Sequence, residues 1–279
     1  MTSPTLASLR ILVSLILLAA PATRAFGQQD FFSNWFDRVT RTQAAQPHWI
    51  TPMFTVTPRL EEEFRFDILR QSVAGGNTTA NYDGGKGLEL IPTEHTEIIF
   101  NLPPYLAHTS PARDGFGDVS FLFKCRILAG NEEHGNYILT AFLGASVPTG
   151  EYKNGAPHAV ITPTIAAGKG YGPFSVQSTF GVGVPVDDAG TLGTPLAWNT
   201  AFQYHLLRKL WPEIETNATF WANGPNAGKK QVFLSPGLVV GRIHLWRRLG
   251  FAIGGGVQIA ATQYHQYNHQ WSLSVRFPF

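Results

Sequence analysis

The sequence has 279 residues, of which 14% are Asp, Glu, Lys or Arg, 44% hydrophobic and 13% aromatic. An ordinary soluble domain is about 25% charged, so this chain is too poor in charge for a fully solvated surface, and too aromatic for disorder. Its mean hydropathy of -0.04 excludes a bundle of membrane-spanning helices.

The N-terminus reads as an export signal. Arg10 precedes a mostly apolar run over 11–20, followed by Pro21 and the small-residue site Thr23-Arg24-Ala25. This is the pattern of a secretory leader, with cleavage expected after Ala25 and residues 1–25 removed. The apolar run is too short for a membrane anchor, which needs about 18 residues. Removing Arg10 and Arg24 leaves 19 basic and 19 acidic residues. With no net charge and no basic run, nucleic acid is not an expected partner.

Residues 26–46 form a separate N-terminal segment. Asp30 is expected to cap a short amphipathic helix in which Phe32, Trp35, Phe36 and Val39 share one face. From Trp49 onward the period changes from 3.6 to 2, and residues 47–279 read as one β-domain. Val119, Phe121, Phe123, Cys125 and Ile127 alternate with Ser120, Lys124 and Arg126. Phe174, Val176, Phe180, Val182, Val184 and Val186 alternate with Ser175, Gln177, Thr179, Gly181 and Gly183. Trp271, Leu273, Val275, Phe277 and Phe279 alternate with Ser272, Ser274 and Arg276. A soluble sandwich would carry charge on its polar face. Here that face is small and mostly uncharged, the signature of a transmembrane barrel with apolar residues outward and polar residues inward.

Eleven strands are expected, near 59–71, 86–100, 116–128, 136–148, 158–168, 174–186, 196–207, 213–223, 231–243, 249–261 and 269–279. Bacterial single-chain barrels use even strand numbers, so a twelfth is expected in 47–56. The expected fold is an all-β, antiparallel up-and-down transmembrane barrel of about 12 strands with a short N-terminal helix. Short periplasmic turns are expected near 129–135, 169–173, 207–212 and 245–249. Longer outer loops are expected near 102–115, 149–157, 187–194, 223–230 and 262–268. The stretch 71–85 is long for the periplasmic turn that this parity demands. Tyr171, Trp211 and Trp246, beside Lys169, Lys209 and Arg247, are expected in an aromatic girdle at the periplasmic boundary.

Lumen-facing ions are the candidates for selectivity. Glu61, Glu63, Arg65 and Asp67 share one strand face, and Glu97, Lys124, Arg126, Glu213 and Glu215 are expected to join them. Mixed charges in a narrow lumen either set a field that orients a passing solute or form a network that satisfies itself. An envelope-lipid hydrolase using His269 with Ser272 or Ser274 is a weaker reading, because His269 and Ser272 differ in strand parity and no Gly-x-Ser-x-Gly elbow is present. His265 and His269 are four apart, but not on a helix, so a zinc-helix geometry does not apply. No catalytic residue, metal or cofactor is expected. Cys125 falls in the outward set as a small apolar residue.

Three short motifs carry a resemblance. The terminal Arg276-Phe277-Pro278-Phe279 resembles the recognition signal of outer-membrane barrels, which implies insertion by the barrel-assembly machinery, with Phe277 and Phe279 as its signal residues. Gly115-Phe116-Gly117-Asp118, opening a strand that runs to Lys124-Cys125-Arg126, resembles the MetA-pathway of phenol degradation family of outer-membrane transporters, as does Pro148-Thr149-Gly150. That family often has an aromatic residue where this chain has Cys125. The resemblance implies a barrel channel for small aromatic or hydrophobic compounds. Together with the export leader and the alternating strands, it makes the expected protein a passive channel for small solutes in the outer membrane of a Gram-negative-type bacterium, with outer-membrane lipids as its surroundings. From the residues alone, Asp118 is expected to accept hydrogen bonds from turn N–H groups, and Pro148-Thr149-Gly150 to end a strand. A lipid-acting barrel enzyme and a closed structural barrel are the alternatives.

Overall fold

In the computed structural model, residues 28–83 and 86–279 are described. The expected leader and its cleavage site lie outside them. The N-terminal helix is broken into α1 (Gln28–Ser33) and α2 (Trp35–Ala44). Asp30 therefore lies within α1 and not in front of it. Of the described residues, those up to Asp37 and those from Arg38 onward fall in two compact units. In the first, the Phe31 ring meets Phe32 and Trp35 edge-on at 5.2 and 5.5 Å. Phe32 and Phe36 are exposed, whereas Val39, expected on the same face, is buried in the second unit.

The second unit is a closed barrel of twelve antiparallel strands. They are β1 (Glu63–Ser72), β2 (Thr78–Tyr82 and Gly87–Thr93), β3 (Thr96–Asn101 and Tyr105–His108) and β4 (Gly115–Phe116 and Val119–Gly130). There follow β5 (Tyr137–Val147), β6 (Val160–Tyr171), β7 (Phe174–Val182 and Val184–Pro185) and β8 (Pro195–Tyr204). The last four are β9 (Leu210–Trp221), β10 (Lys230–Trp246), β11 (Leu249–Ala260) and β12 (His269–Pro278). Each strand pairs with its sequence neighbours, and β12 closes on β1 with Glu63 opposite Pro278 and Ser72 opposite His269. Closure leaves no sheet edge unpaired, as a spanning sheet in lipid requires.

The twelfth strand is not where the sequence places it. Residues 47–56 form no strand. Instead 86–100 divides into a hairpin, turning at Glu94-His95 between Thr93 and Thr96. No Gly, Pro, Asn or Asp marks that turn; it is closed by a 2.7 Å hydrogen bond between the hydroxyls of Thr93 and Thr96. The same correction removes the parity conflict at 71–85. That stretch contains a connection at 73–77 and the first segment of β2, so it is no periplasmic-type turn. One end of the barrel now carries the connections 94–95, 131–136, 172–173, 205–209 and 247–248, and the other end carries 73–77, 109–114, 148–159, 186–194, 222–229 and 261–268. We call these the short-turn and long-loop ends.

Period-2 alternation sets which side chains face out. Phe121, Phe123, Ile127, Phe180, Trp198, Phe202, Trp271 and Leu273 are exposed on the outer wall, whereas Lys124, Ser175, Gln177, Gln203, Ser272 and Ser274 are buried inside. Cys125 is a free, exposed cysteine in the outward set. Tyr171 and Trp246 are exposed at the short-turn end, with Lys169 5.7 Å from the Tyr171 ring centroid and Arg247 4.5 Å from that of Trp246. Trp211 is not with them. It shares strand parity with Glu213 and Glu215, points inward, and stacks on His205 at 4.0 Å.

Candidate functional site

Before the first strand, the chain runs through the barrel. Pro47, Pro52 and Pro58 lack the N–H that a sheet ladder uses, and three in twelve residues disfavour pairing here, although single prolines, Pro163, Pro212 and Pro236, are accommodated within wall strands. The stretch becomes a strap inside the lumen, with Trp49, Ile50 and Met53 packed against Ile138, Trp211 and Val239 of the wall. Irregular backbone at membrane depth is tolerated only when protein or water satisfies it. Here inward side chains of the wall supply the partners.

Most of the expected selectivity residues take part in this. The Glu213 carboxylate accepts the Met53 amide at 2.9 Å, and Glu215 accepts the amides of Phe54, at 2.8 Å, and Thr55. Arg65 donates to the Met53 carbonyl at 2.6 Å, and Lys124 to that of Arg59 at 3.1 Å. Arg126 donates to the carbonyls of Thr42 and Glu94 at 2.8 and 2.7 Å. Glu97 accepts the amide of Glu61 at 2.6 Å. Asp67 pairs with Arg65 at 2.8 Å, and Glu61 with Arg59 and Arg242 at 2.7 and 3.0 Å. All nine residues named from the sequence, including Glu63, are buried in the lumen.

The structure adds partners that the sequence reading does not name as site residues. Arg276 holds the carbonyls of Thr51 and Pro52. Gln177 holds the Ile50 carbonyl at 3.1 Å and passes a second hydrogen bond to Gln203, which donates to Glu213 at 2.7 Å. Glu89 lies 4.0 Å from the Lys124 ammonium, itself 2.8 Å from Glu97. Strand parity puts Arg276, Gln177, Gln203 and Glu89 on the inward face. β1 begins at Glu63 and not near 59 as expected, so Arg59, Glu61 and Glu62 lie on the end of the strap, where Arg59 and Glu61 nonetheless keep the parity of Glu63.

At the short-turn end, Glu132 accepts the backbone amide and ring nitrogen of His48, each at 2.7 Å. Burial pushes the Glu132 carboxyl up, but the two hydrogen bonds from His48 outweigh it and leave it below the usual carboxylate range. In the long-loop half, the strap leaves two cavities, both bordered by Val56 and Asn199. One of about 290 Å³ is lined by Phe54, Arg65, Asp67, Asn217 and Gln258 among others. The other, of about 200 Å³, is lined by Leu122, Phe142, Thr162, Thr164 and Thr179 among others.

The two internal sequence motifs meet at the long-loop end. One oxygen of Asp118 accepts the amides of Thr149 and Gly150 at 3.0 and 2.8 Å, and the other accepts Ala156 at 2.7 Å. The Thr149 hydroxyl accepts the Val119 amide at 2.9 Å. A Cβ on Gly150 would fall 2.5 Å from Gly155 backbone atoms, so this close approach requires glycine. The Gly117 amide donates to Pro104 at 2.8 Å, and Gly115 packs against Glu151, Tyr152 and Asn154. These residues clasp a long loop to the rim.

The histidines build no nucleophilic site with the serines. His265 sits in the last long loop, hydrogen-bonded to the Thr262 carbonyl and Asn268. His269 shares outward parity with Trp271, whereas Ser272 and Ser274 are buried on the opposite face, where Ser274 accepts from Arg276 at 3.0 Å. At the C-terminus, Phe277 pairs across the closure with Phe64, and the Phe279 amide donates to Glu62 at 3.0 Å.

No family model and no curated protein sequence matches this chain. Solved structures do. The COG4313 outer membrane channel from Pseudomonas putida F1 superposes with a TM-score of 0.52 at 13% identity, covering 78% of this chain and 94% of that one. OmpF from Salmonella typhi in complex with daunomycin gives 0.37 at 7% identity, covering 78% and 96%. The translocator domain of the autotransporter NalP from Neisseria meningitidis gives 0.44 at 10% identity, covering 78% and 86%. The likeness to the Pseudomonas putida channel is one of fold, that of the closed twelve-stranded barrel described above.

Proposed function

We propose that the protein is an outer-membrane channel through which small solutes, aromatic and hydrophobic compounds among them, pass passively down a gradient. The observation that supports this best is the division of the barrel wall. Large apolar side chains cover the outside, and a polar lumen encloses cavities in its long-loop half. In this reading the short-turn end faces the periplasm of a Gram-negative-type cell, Tyr171 and Trp246 meet the lipid boundary, and Phe277 and Phe279 serve as the signal read by the assembly machinery. The nine ionic residues then act on a solute both through their field and through the strap they hold, which forms the constriction.

The strap also favours a second reading, a closed structural barrel, since it crosses the short-turn half of the lumen and leaves there a cavity of about 510 Å³ bordered by His48, Arg242 and Phe279 among others. One measurement separates the two. The full-length mature protein is reconstituted into planar bilayers and into liposomes challenged with aromatic acids, phenols and sugars. A channel gives discrete conductance steps and solute-dependent swelling. If neither occurs with folded, heat-modifiable protein, the channel reading falls.

A further inference from the structure

One buried cation of the lumen has no contact partner among the described residues. The Lys86 ammonium, just ahead of the second segment of β2, is buried and makes no hydrogen bond to any of them. Burying a charge is costly unless it is paired and hydrogen-bonded. Lys124 and Arg65 meet that condition, 2.8 Å from Glu97 and 2.8 Å from Asp67. Glu89 and Glu63 act on Lys86 through their charge, but neither forms an ion pair with it. Neither borders the cavity of about 290 Å³ that Lys86 lines.

The rest of the cavity lining also offers donors more than acceptors. Both oxygens of Asp67 accept from Arg65, whose terminal nitrogens also hold the strap carbonyls of Pro52 and Met53. The Asn217 oxygen accepts from Ser235 and Gln258 at 2.8 and 2.9 Å. The Gln258 oxygen accepts from Tyr267 and Gln270, each at 2.8 Å. An amide oxygen has two lone pairs, so both oxygens are filled, and of these amides only Asn199 keeps an open one. The nitrogens are less used. Each has two N–H groups; Gln258 uses one on Asn217, Asn217 uses one in a long 3.4 Å bond to Asn199, and the Asn199 nitrogen bonds to no described residue. Met53, Phe54, Val56 and Leu69 supply apolar surface. The volume is at the low end for small-molecule sites, which run from about 300 to 1,000 Å³.

Resting on the reading of this lumen as a solute path, we propose that this cavity is a binding site for a small organic monocarboxylate, its carboxylate held by the Lys86 ammonium. A carboxylate only accepts, and it brings the charge-assisted hydrogen bonds that the ammonium lacks. One unpaired cation in the lining suits a single negative charge, because Arg65 is already matched by Asp67. A cationic solute would meet Lys86, and a solute rich in hydroxyls would find the oxygens of Asn217 and Gln258 already filled. An inorganic anion would leave the apolar surface without contact, whereas a ring or short alkyl body covers it. The open N–H groups of the amides face whatever acceptor atoms that body carries.

The test is equilibrium binding to the full mature chain in detergent micelles, by ligand-observed saturation-transfer NMR and calorimetry. Benzoate is the probe, with benzamide as its uncharged counterpart, benzylammonium as the cation and acetate as the anion without a ring. Binding is read without transport, so a folded barrel that binds benzoate but does not conduct upholds this site while the channel reading falls. Expected is saturable binding of benzoate in preference to all three controls. Lys86→Met is expected to weaken benzoate roughly ten- to a hundred-fold, the effect of a hydrogen bond to a charged group, and to abolish the preference over benzamide. A lysine that merely supported the fold would weaken both ligands alike. Lys86→Arg keeps the charge and should retain the preference. Asn199→Asp places a negative charge in the lining and should weaken benzoate while sparing benzamide, which keeps the test open should Lys86→Met fail to fold. Heat-modifiable gel mobility certifies each variant as folded. Absence of benzoate binding, equal or tighter binding of any control, or an unchanged preference for benzoate in the folded Lys86→Met and Asn199→Asp variants overturns the proposal.

Discussion

The carboxylate of Glu215, on β9, holds the backbone amide of Phe54 at 2.8 Å, across 161 residues of sequence. The same carboxylate takes the Thr55 amide, so one wall side chain fixes two consecutive peptide groups of the strap. Removing it in Glu215→Ala leaves two inward N–H groups without partners, each at a cost of about 1–3 kcal/mol. The strap is therefore expected to loosen at Phe54. In bilayers the variant should show larger or more frequent conductance steps than wild type, together with a lower thermal unfolding midpoint.

Lys124 makes the opposite case, a buried charge whose loss strands others. Its ammonium lies 2.8 Å from Glu97 and 4.0 Å from Glu89, all three fully buried. Lys124→Met leaves these carboxylates uncompensated and is expected to destabilise the barrel by about 3–5 kcal/mol. Lys124→Met combined with Glu97→Gln removes one of the stranded charges and should recover much of that loss. Urea unfolding in micelles, followed by tryptophan fluorescence, checks both values.

The Asp118 clasp predicts a local effect. Asp118→Ala frees the amides of Thr149, Gly150 and Ala156 at the rim. Partly exposed amides can turn to water, so global stability should fall by only about 1 kcal/mol. The loop itself should open. Limited proteolysis is expected to cut within 149–157 faster than in wild type, with Asp118→Asn intermediate because it retains one acceptor oxygen.

His48 and Glu132 make the docking of the strap's first turn dependent on pH. The Glu132 carboxyl is held below its ordinary value, near 4.3, by bonds that exist only in the docked state. Its contribution is fully present above that ordinary value and is lost as pH falls through the lower folded value. Hydrogen exchange at the His48 amide is expected to show protection near pH 6 that fades below about pH 4.3. In Glu132→Gln the protection should be weak at both and independent of pH.

Much of this molecule was legible in its residues, for physical reasons that differ from place to place. Alternation at period 2 placed Lys124, Glu213 and Glu215 inward and Cys125 outward, because a pleated strand leaves no other option. The same rule applied to Trp211 puts it beside Glu213 inside the lumen; proximity to a turn was the weaker cue. Three prolines between 47 and 58 argued against a strand there more strongly than the even-number rule argued for one. The hairpin at Glu94-His95 offered no turn residue to read, since two threonine hydroxyls close it.

By itself, then, the sequence determined the kind of solvent each face meets. Scarce charge, outward aromatics and small polar residues between them specify a closed β-wall with an apolar outside, whatever the register. Only the tertiary structure decided what fills that wall. The strap has no period of its own, and its peptide groups are satisfied by side chains up to 225 residues away, as Arg276 is from Thr51. Such pairings depend on which wall positions come level with which strap residues once the barrel has closed. No local pattern carries that information.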